Sequence, residues 1–273
     1  RSTRCTTLFP YTTLFRTSVT SATVEFPFKS PADVERFLSI PYEPPQADAT
    51  AYGEWRDRIG EEGFVMVGMG NAVCLPAEWF SPEDFALCWA EEPDLMKHLV
   101  AVASERLLRW VEQLCQAGVE GFRIVGGEYV TVQLGHRAFE ALVTPHDTAL
   151  IELIHHYGGV AYYHNHGKVM RFLQELAALG MDAMDPFEAP PWGDVADLGE
   201  ARALIGERLC IVGNLDDMEV INALPEAEVL EIARERMRAA GSRAFVLGGT
   251  ASGTYAEPAA RNFIAMANMV AKG

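Results

Sequence analysis

The sequence predicts an α/β protein, specifically a TIM (β/α)8-type barrel that is incomplete, with about six βα units present. From residue 60 onward, short β-type runs alternate with longer segments of helical periodicity. Most runs are apolar at consecutive positions, as expected for parallel strands that are buried on both faces. Most also end in Gly, His, Asn or Glu, and in such barrels the carboxyl ends of the strands carry the chemistry.

Six runs are predicted as strands because each is short, apolar and followed by a turn or polar residue. Alternation of strands with helices is typical of a parallel sheet. The predicted strands are FVMVGMG (64–70), GFRIVGG (121–127), GVAYYHNH (159–166), MDAMDPFE (181–188), LCIVGNL (209–215) and AFVLGG (244–249).

Apolar residues at helical spacing lie between these runs, and a glycine follows each set as a stop signal. In the last of these helices, Pro225 lies near the predicted start and acidic residues occupy the first turn. The sets are Leu107, Trp110, Val111 and Leu114 before Gly118, then Val169, Leu173 and Leu176 before Gly180, and Val229, Ile232 and Ala233 before Gly241.

The N-terminal region departs from this pattern. A closed barrel has eight strands, so two are expected to be missing on the N-terminal side and the chain is interpreted as a fragment. Residues 1–17 repeat TTLF, lack an initiator Met and contain no signal-peptide hydrophobic core, which indicates an artefactual or disordered tail. Residues 18–58 are predicted as a proline-rich connection over the barrel surface. The barrel domain, still partial, is therefore assigned to residues 18–273.

Composition narrows the function classes. With 273 residues and 49% hydrophobic side chains, the chain can form one large domain with a substantial core. Its net charge of -16 disfavours binding to nucleic-acid phosphates and to anionic membrane surfaces. No apolar run reaches the ~18 residues that a membrane-spanning helix needs, and five scattered cysteines without CxxC spacing indicate free thiols in a reducing compartment. A cytoplasmic protein acting on a small molecule is predicted.

The stretch YYHNHGKV places His164 and His166 at the end of a predicted strand, where residues two apart share one face. Glu188 lies at the end of the next predicted strand, and neighbouring strand ends meet on the same rim of a barrel. Catalytic zinc usually takes three protein ligands from residues of these types. The sequence therefore predicts a metal site of His164, His166 and Glu188. The alternative is a pair of hydrogen-bonded polar residues at a strand end.

Two further polar residues are candidates for catalysis. Glu128, after GFRIVGG, is predicted as a general base or an additional ligand, with an exposed rim carboxylate as the alternative. Asn214, in the run LCIVGNL, is predicted to hydrogen-bond either a substrate or a loop. Tyr163 lies between apolar neighbours and is interpreted as a core residue.

Several motifs in order resemble the uroporphyrinogen decarboxylase superfamily, over roughly residues 35–270. They are HNHG, DPFEAPPWGD, IVGNLDD, and LGG followed by Pro258, Arg261 and Asn262. The match is to the C-terminal two-thirds of that superfamily. The superfamily also includes cobalamin-dependent methyltransferases that pass a methyl group to a thiol.

The resemblance implies a particular metal site. In the methyltransferase branch, zinc is held by a His-x-Cys pair, in some members by a Glu on the next strand, and by a Cys near the last strand. His164 matches the histidine, His166 stands in place of the first Cys, and Glu188 matches the carboxylate. The last Cys position falls near Thr250. Without thiolates the site is harder, which admits iron, manganese or cobalt as well as Zn²⁺.

The function implied is methyl transfer to a thiol acceptor, with a corrinoid as the methyl donor and a corrinoid protein as a candidate partner. One alternative is uroporphyrinogen decarboxylation, which needs arginines to bind an eight-carboxylate macrocycle. The rim of Glu128, Glu188 and Asp194 is acidic and poor in arginine, which disfavours that substrate. A metal-dependent hydrolase or lyase with Glu128 as base stays open at this point, as does a truncated barrel without activity.

Overall fold

A computed structural model describes residue 23, residues 25–250 and residues 255–272, so the predicted tail at 1–17 lies outside the described residues. The six strands form one parallel sheet in chain order, with β1 and β6 at its edges. Within the described residues the sheet does not close, and the prediction of an incomplete α/β barrel is confirmed. The strands are β1 (Val67–Gly70), β2 (Gly121–Val125), β3 (Val160–His164), β4 (Ala183–Asp185), β5 (Cys210–Leu215) and β6 (Phe245–Gly249).

Helices connect the strands, and most of them pack around the sheet. In addition to the α-helices there are short 3-10 helices at Gly60–Glu62 and Met170–Phe172, and π-helical turns at Phe139–Val143 and Asp217–Asn222. The α-helices are α1 (Pro31–Leu38), α2 (Thr50–Ile59), α3 (Cys74–Ala77), α4 (Pro82–Glu91), α5 (Pro93–Gln116), α6 (Glu128–Thr131), α7 (His136–Ala138), α8 (Thr144–His156), α9 (Leu173–Ala178), α10 (Leu198–Ile205), α11 (Glu226–Ala240) and α12 (Glu257–Lys272).

The longest helix follows the predicted apolar stripe. In α5, Leu107, Val111 and Leu114 are buried, and the chain turns at Gly118 with a φ of 88° that favours glycine. The helix predicted from Val169 is shorter than expected, because a 3-10 helix at Met170–Phe172 precedes α9.

The connection predicted over residues 18–58 is wrong for much of that segment. The structure forms α1 at Pro31–Leu38 and α2 at Thr50–Ile59. Proline occupies the first turn of α1, where its missing N–H costs nothing, and Val34 is fully buried. The stretch between the two helices, with Pro44 and Pro45, is an irregular connection.

Strand alternation decides which side chains face the site. Tyr163 is buried, and its hydroxyl donates a hydrogen bond of 2.6 Å to Asp147 on α8. It therefore faces the helices, in agreement with its interpretation as a core residue. Tyr162 and His164, its neighbours on β3, point to the opposite face of the sheet, which we call the inner face.

The structure also describes the cysteines and the apolarity of the helices, on which composition led to predictions. Cys74, Cys88 and Cys115 are buried free thiols and Cys210 is half-buried, whereas Cys5 lies outside the described residues. Across the part of the chain that the structure describes, no helix is long and apolar enough to cross a membrane.

Candidate active site

Two histidine–carboxylate pairs lie side by side at the carboxyl ends of β3 and β4. Nδ1 of His164 is 2.7 Å from Oδ1 of Asp185, and Nδ1 of His166 is 3.0 Å from Oε1 of Glu188. The two imidazole rings are nearly perpendicular, with centroids 4.4 Å apart. His164 and Asp185 are register partners in the sheet, so strand pairing alone brings the first pair together. His166 and Glu188 extend the arrangement into the two following loops.

The two histidines have different electrostatic environments. Burial lowers the pKa of His164 and outweighs the opposing effect of Asp185. Burial also lowers the pKa of His166, but the hydrogen bond to Glu188 and the charges of Glu188 and Glu128 outweigh it, so the net shift is upward. A carboxylate oxygen can only accept a hydrogen bond, so Nδ1 carries the hydrogen in both rings. At neutral pH, His166 is consequently the better proton acceptor of the two.

The loop after β4 holds Glu188 in place. Its Oε2 atom accepts a hydrogen bond of 2.7 Å from the backbone N–H of Gly167, and its backbone carbonyl accepts one of 3.0 Å from Val195. Gly193 packs directly against the same residue: a β-carbon there would collide with the Glu188 carbonyl oxygen and lie 2.7 Å from the Glu188 β-carbon. Only glycine fits this contact without moving Glu188.

Glu128 begins α6 and is buried, with 6% of its surface exposed, so the alternative of an exposed rim carboxylate is not observed. Its Oε2 atom accepts a hydrogen bond of 3.2 Å from the backbone of Gly126. Burial raises the pKa of this carboxyl, while its backbone hydrogen bonds and the charges of His166 and Arg123 oppose the rise. A buried carboxyl with a raised pKa, electrostatically coupled to His166, suits a general base, and this role stays a prediction.

Asn214 lies near the end of β5 and is 3% exposed. Its Nδ2 atom donates a hydrogen bond of 3.0 Å to the backbone carbonyl of Phe187, so the loop contact predicted for it exists. Within the described residues, its Oδ1 atom has no hydrogen-bond partner. An acceptor is thus available to a substrate N–H or O–H group, and the substrate role stays a prediction.

Three inner-face residues near the site are not predicted from the sequence. Asp185 belongs to the run MDAMDPFE, where the spacing to the histidines favours Glu188 instead. Burial, and after it the neighbouring carboxylate of Asp185, raises the pKa of the Tyr162 hydroxyl. Arg123 on β2 is the register partner of Tyr162 on β3, and its positive charge contributes to lowering the pKa of His164. Strand alternation and register could identify all three. Tyr162 lies two residues before His164 on β3, Asp185 pairs with His164, and Arg123 pairs with Tyr162.

The predicted metal ligand Glu188 has both of its carboxylate oxygens engaged, by His166 and by the backbone of Gly167. Histidines that bind a metal through one ring nitrogen often donate the other nitrogen to a carboxylate. His164 and His166 have this contact to a carboxylate through Nδ1. Two nitrogens are fewer than the three protein ligands of a usual catalytic zinc. The described residues contain no group of three or more His, Cys, Asp or Glu side chains able to hold a metal ion. The metal assignment stays a prediction, and the mechanism proposed for the chain does not depend on it.

Thr250 occupies the position near which the resemblance implies a further ligand. It is 1% exposed, and its backbone N–H donates a hydrogen bond of 3.1 Å to Oδ1 of Asp217. This contact fixes the start of the loop after β6. Residues 251–254 of that loop lie outside the described residues.

Parallel strands with polar side chains gathered at their carboxyl ends are typical of the active-site rim of α/β barrels. Residues 15–272 match the family described as uroporphyrinogen decarboxylase (URO-D), and the chain belongs to that family. The superfamily resemblance inferred from the motifs is therefore confirmed, and the chain is a member of an enzyme superfamily with decarboxylase and methyltransferase members.

Two curated relatives carry the name uroporphyrinogen decarboxylase. The protein from Azoarcus sp. is 28% identical over 177 residues, covering 59% of this chain and 44% of the relative. The protein from Gloeobacter violaceus is 26% identical over 170 residues, covering 59% of this chain and 46% of the relative. In these matches the chain spans less than half the length of either relative.

Two solved structures are similar to the chain in fold. A methyltransferase from Methanosarcina mazei aligns with a TM-score of 0.65 and 17% identity, covering 79% of this chain and 61% of its own. A putative vitamin-B12 independent methionine synthase from Listeria monocytogenes aligns with a TM-score of 0.50 and 13% identity, covering 84% of this chain and 72% of its own. At these identities the likeness concerns the fold.

Proposed function

We propose that this chain forms part of an enzyme that transfers a methyl group to the sulfur of a thiol acceptor. The observation that carries the proposal is the pair of imidazoles whose Nδ1 atoms are held by Asp185 and Glu188, with ring centroids 4.4 Å apart. Carboxylates that hold one nitrogen of each ring orient the other nitrogen for proton transfer.

The chemistry requires a base because a thiolate, not a thiol, is the nucleophile. Nε2 of His166 accepts the S–H proton, and the hydrogen bond from Nδ1 to Glu188 stabilises the resulting imidazolium. The thiolate then attacks the methyl carbon of the donor, and the S–C bond forms as the bond between methyl and its carrier breaks. The carrier leaves with the electron pair of that bond. A methylcorrinoid, free or on a corrinoid protein, is the proposed donor.

A direct assay follows methyl transfer from methylcobalamin to 2-mercaptoethanol. His166→Gln is expected to lower kcat/KM by about 10²- to 10⁴-fold, the usual contribution of a general base. His156→Gln, at an exposed position on α8, is the matched control and should retain full activity. A rate in His166→Gln equal to that of the control rejects the proposed role, and absence of methylated thiol with the unaltered protein rejects the reaction.

Decarboxylation of a porphyrinogen is the second candidate, because the two curated relatives carry that name. A protonated His166 would then act as the proton donor. The acidic inner face argues against it, since Asp185, Glu188 and Glu128 would repel a substrate with many carboxylates. Incubation of the same preparation with uroporphyrinogen separates the two reactions. Release of CO₂ without any thiol methylation would favour this second function.

A further inference from the structure

A cavity of about 440 Å³ lies at the edge of the sheet, between β1, α1 and α5. None of its lining residues belongs to the histidine–carboxylate pairs or to the inner-face residues around them. The volume falls within the range of small-molecule pockets. The cavity is therefore a candidate binding site that is separate from the proposed reaction.

Aromatic side chains form one wall of the cavity. Phe28, Phe37 and Trp79 make edge-to-face contacts with one another, with ring centroids 4.6 to 5.6 Å apart. Such mutual packing fixes the rings and presents a rigid apolar surface. Trp110 of α5 adds a further aromatic side chain to the lining. An aromatic ligand would match this wall better than a polar one.

The irregular stretch between α1 and α2 forms part of the cavity and is fastened to α5. Tyr42 and Pro45 from this stretch line the cavity. The backbone N–H of Ala47 donates a hydrogen bond of 3.1 Å to Oε1 of Gln113 on α5. A segment that looks like a plain connection in the sequence therefore has a defined position over the helix.

One cation lies in this apolar lining. The guanidinium carbon of Arg106 lies 4.0 Å from the ring centroid of Tyr42 and 5.5 Å from that of Phe37. Within the described residues, Arg106 has no ion pair or hydrogen bond, although the chain carries a net charge of -16. On the same helix, by contrast, Arg109 and Lys97 each pair with an acidic side chain. Stacking on aromatic rings leaves the planar N–H donors of a guanidinium available to an oxyanion.

We propose that this cavity binds a small aromatic carboxylate, with its ring against Phe37 and Trp79 and its carboxylate on Arg106. The aromatic wall supplies contact area, and the guanidinium supplies two parallel N–H donors that match a carboxylate. The site is independent of the methyl-transfer reaction, so the two proposals stand or fall separately.

Isothermal titration calorimetry with 2-naphthoate tests the proposal on the full chain, with the neutral 2-naphthalenemethanol as the comparison ligand. The unaltered protein is expected to bind one naphthoate. Arg106→Met keeps the length and helix propensity of the side chain and should weaken naphthoate binding about tenfold or more, since a hydrogen bond to a charged group is lost. Binding of the neutral ligand should change less than about twofold.

Two further variants serve as controls for this measurement. Arg109→Met removes a cation from the exposed side of α5, where Arg109 pairs with Glu105, and should bind naphthoate like the unaltered protein. Val102→Phe, which fills the cavity from its lining, should abolish binding of both ligands. Equal naphthoate affinity in the Arg106 and Arg109 variants, or undiminished binding in Val102→Phe, overturns the proposal. So does the absence of naphthoate binding to the unaltered protein.

Discussion

Asp185 and His164 are register partners on adjacent parallel strands, and the carboxylate of one lies 2.7 Å from Nδ1 of the other. Because both residues lie within the sheet, backbone pairing fixes the orientation of the imidazole before any substrate binds. Burial and the same carboxylate raise the pKa of the Tyr162 hydroxyl, so Asp185 acts on two residues of the inner face. Strand pairing thus supports this half of the candidate site directly, whereas loops support the pair of His166 and Glu188.

Asp185→Asn is expected to lower kcat/KM for thiol methylation by about 10²-fold, because the amide can turn its N–H₂ group toward His164 and reverse the tautomer of that ring, whose centroid lies 4.4 Å from that of the base His166. Asp182→Asn is the control. Asp182 pairs with the exposed His155 just before the start of β4, away from the site. Equal activity in both variants would show that the orientation of His164 is irrelevant to the reaction.

Gly193→Ala is expected to displace Glu188, because the added methyl group meets its backbone carbonyl and β-carbon. Overpacking of this kind costs about 1 to 3 kcal/mol of unfolding free energy, and activity should fall as well. Chemical denaturation and the methylation assay measure the two effects. The matched control is Gly53→Ala on α2, where an added β-carbon meets nothing within 4 Å. A Gly193 variant as active and stable as this control contradicts the positioning role.

Asp147 is expected to make stability depend on pH. Burial raises its pKa to about 6 from 3.8, against the opposing hydrogen bonds from Tyr163 and Asn71. Since the folded-state pKa lies above the unfolded one, folding favours the protonated carboxyl. Its contribution is fully present below about pH 4 and is lost as the pH rises through 6.

Asp147→Asn removes this titration and keeps an oxygen that can accept the Tyr163 hydroxyl hydrogen bond. The variant is expected to gain stability over the unaltered protein at about pH 7.5 and to show a flatter profile between about pH 4 and pH 7. The difference of about two pKa units corresponds to at most roughly 3 kcal/mol. Urea unfolding at several pH values measures it. Parallel profiles for the two proteins would contradict the expected titration.

Metal removal separates the proton-transfer account from the metal site predicted from the sequence. Because Glu188 is engaged by His166 and Gly167, we expect methylation activity to survive dialysis against a chelator. Metal content is measured by mass spectrometry before and after dialysis. Stoichiometric metal that is lost in His164→Ala, together with activity restored by Zn²⁺, would instead support the ligand set of His164, His166 and Glu188.

The sheet is predictable from the sequence because its strands are continuous apolar runs that end in polar residues or glycines. Such runs can be recognised without knowledge of the tertiary contacts, and each of the six contains a strand of the structure. The two N-terminal helices are not predicted because the segment is rich in proline, although Pro31 is the first residue of α1. Prolines break helices in their interior but favour the first turn, so composition alone misleads here.

The position of the site is predictable, but the contacts of its side chains are not. Spacing places His166 and Glu188 at neighbouring strand ends, and the structure brings them within 3.0 Å. Spacing says nothing about which atom of an imidazole faces which oxygen, so a ligand and a hydrogen-bond partner look alike in the sequence. Asp185 is hidden for a different reason, because only the register of β3 against β4 shows that it pairs with His164.

The most direct test of the central claim is a double-mutant cycle on His166→Gln and Glu188→Gln, with kcat/KM for thiol methylation measured for all four proteins. If the two residues act as one proton-accepting unit, the double variant should be no slower than the slower single variant. Losses that multiply, or a Glu188 variant with unchanged kcat/KM, would contradict the account.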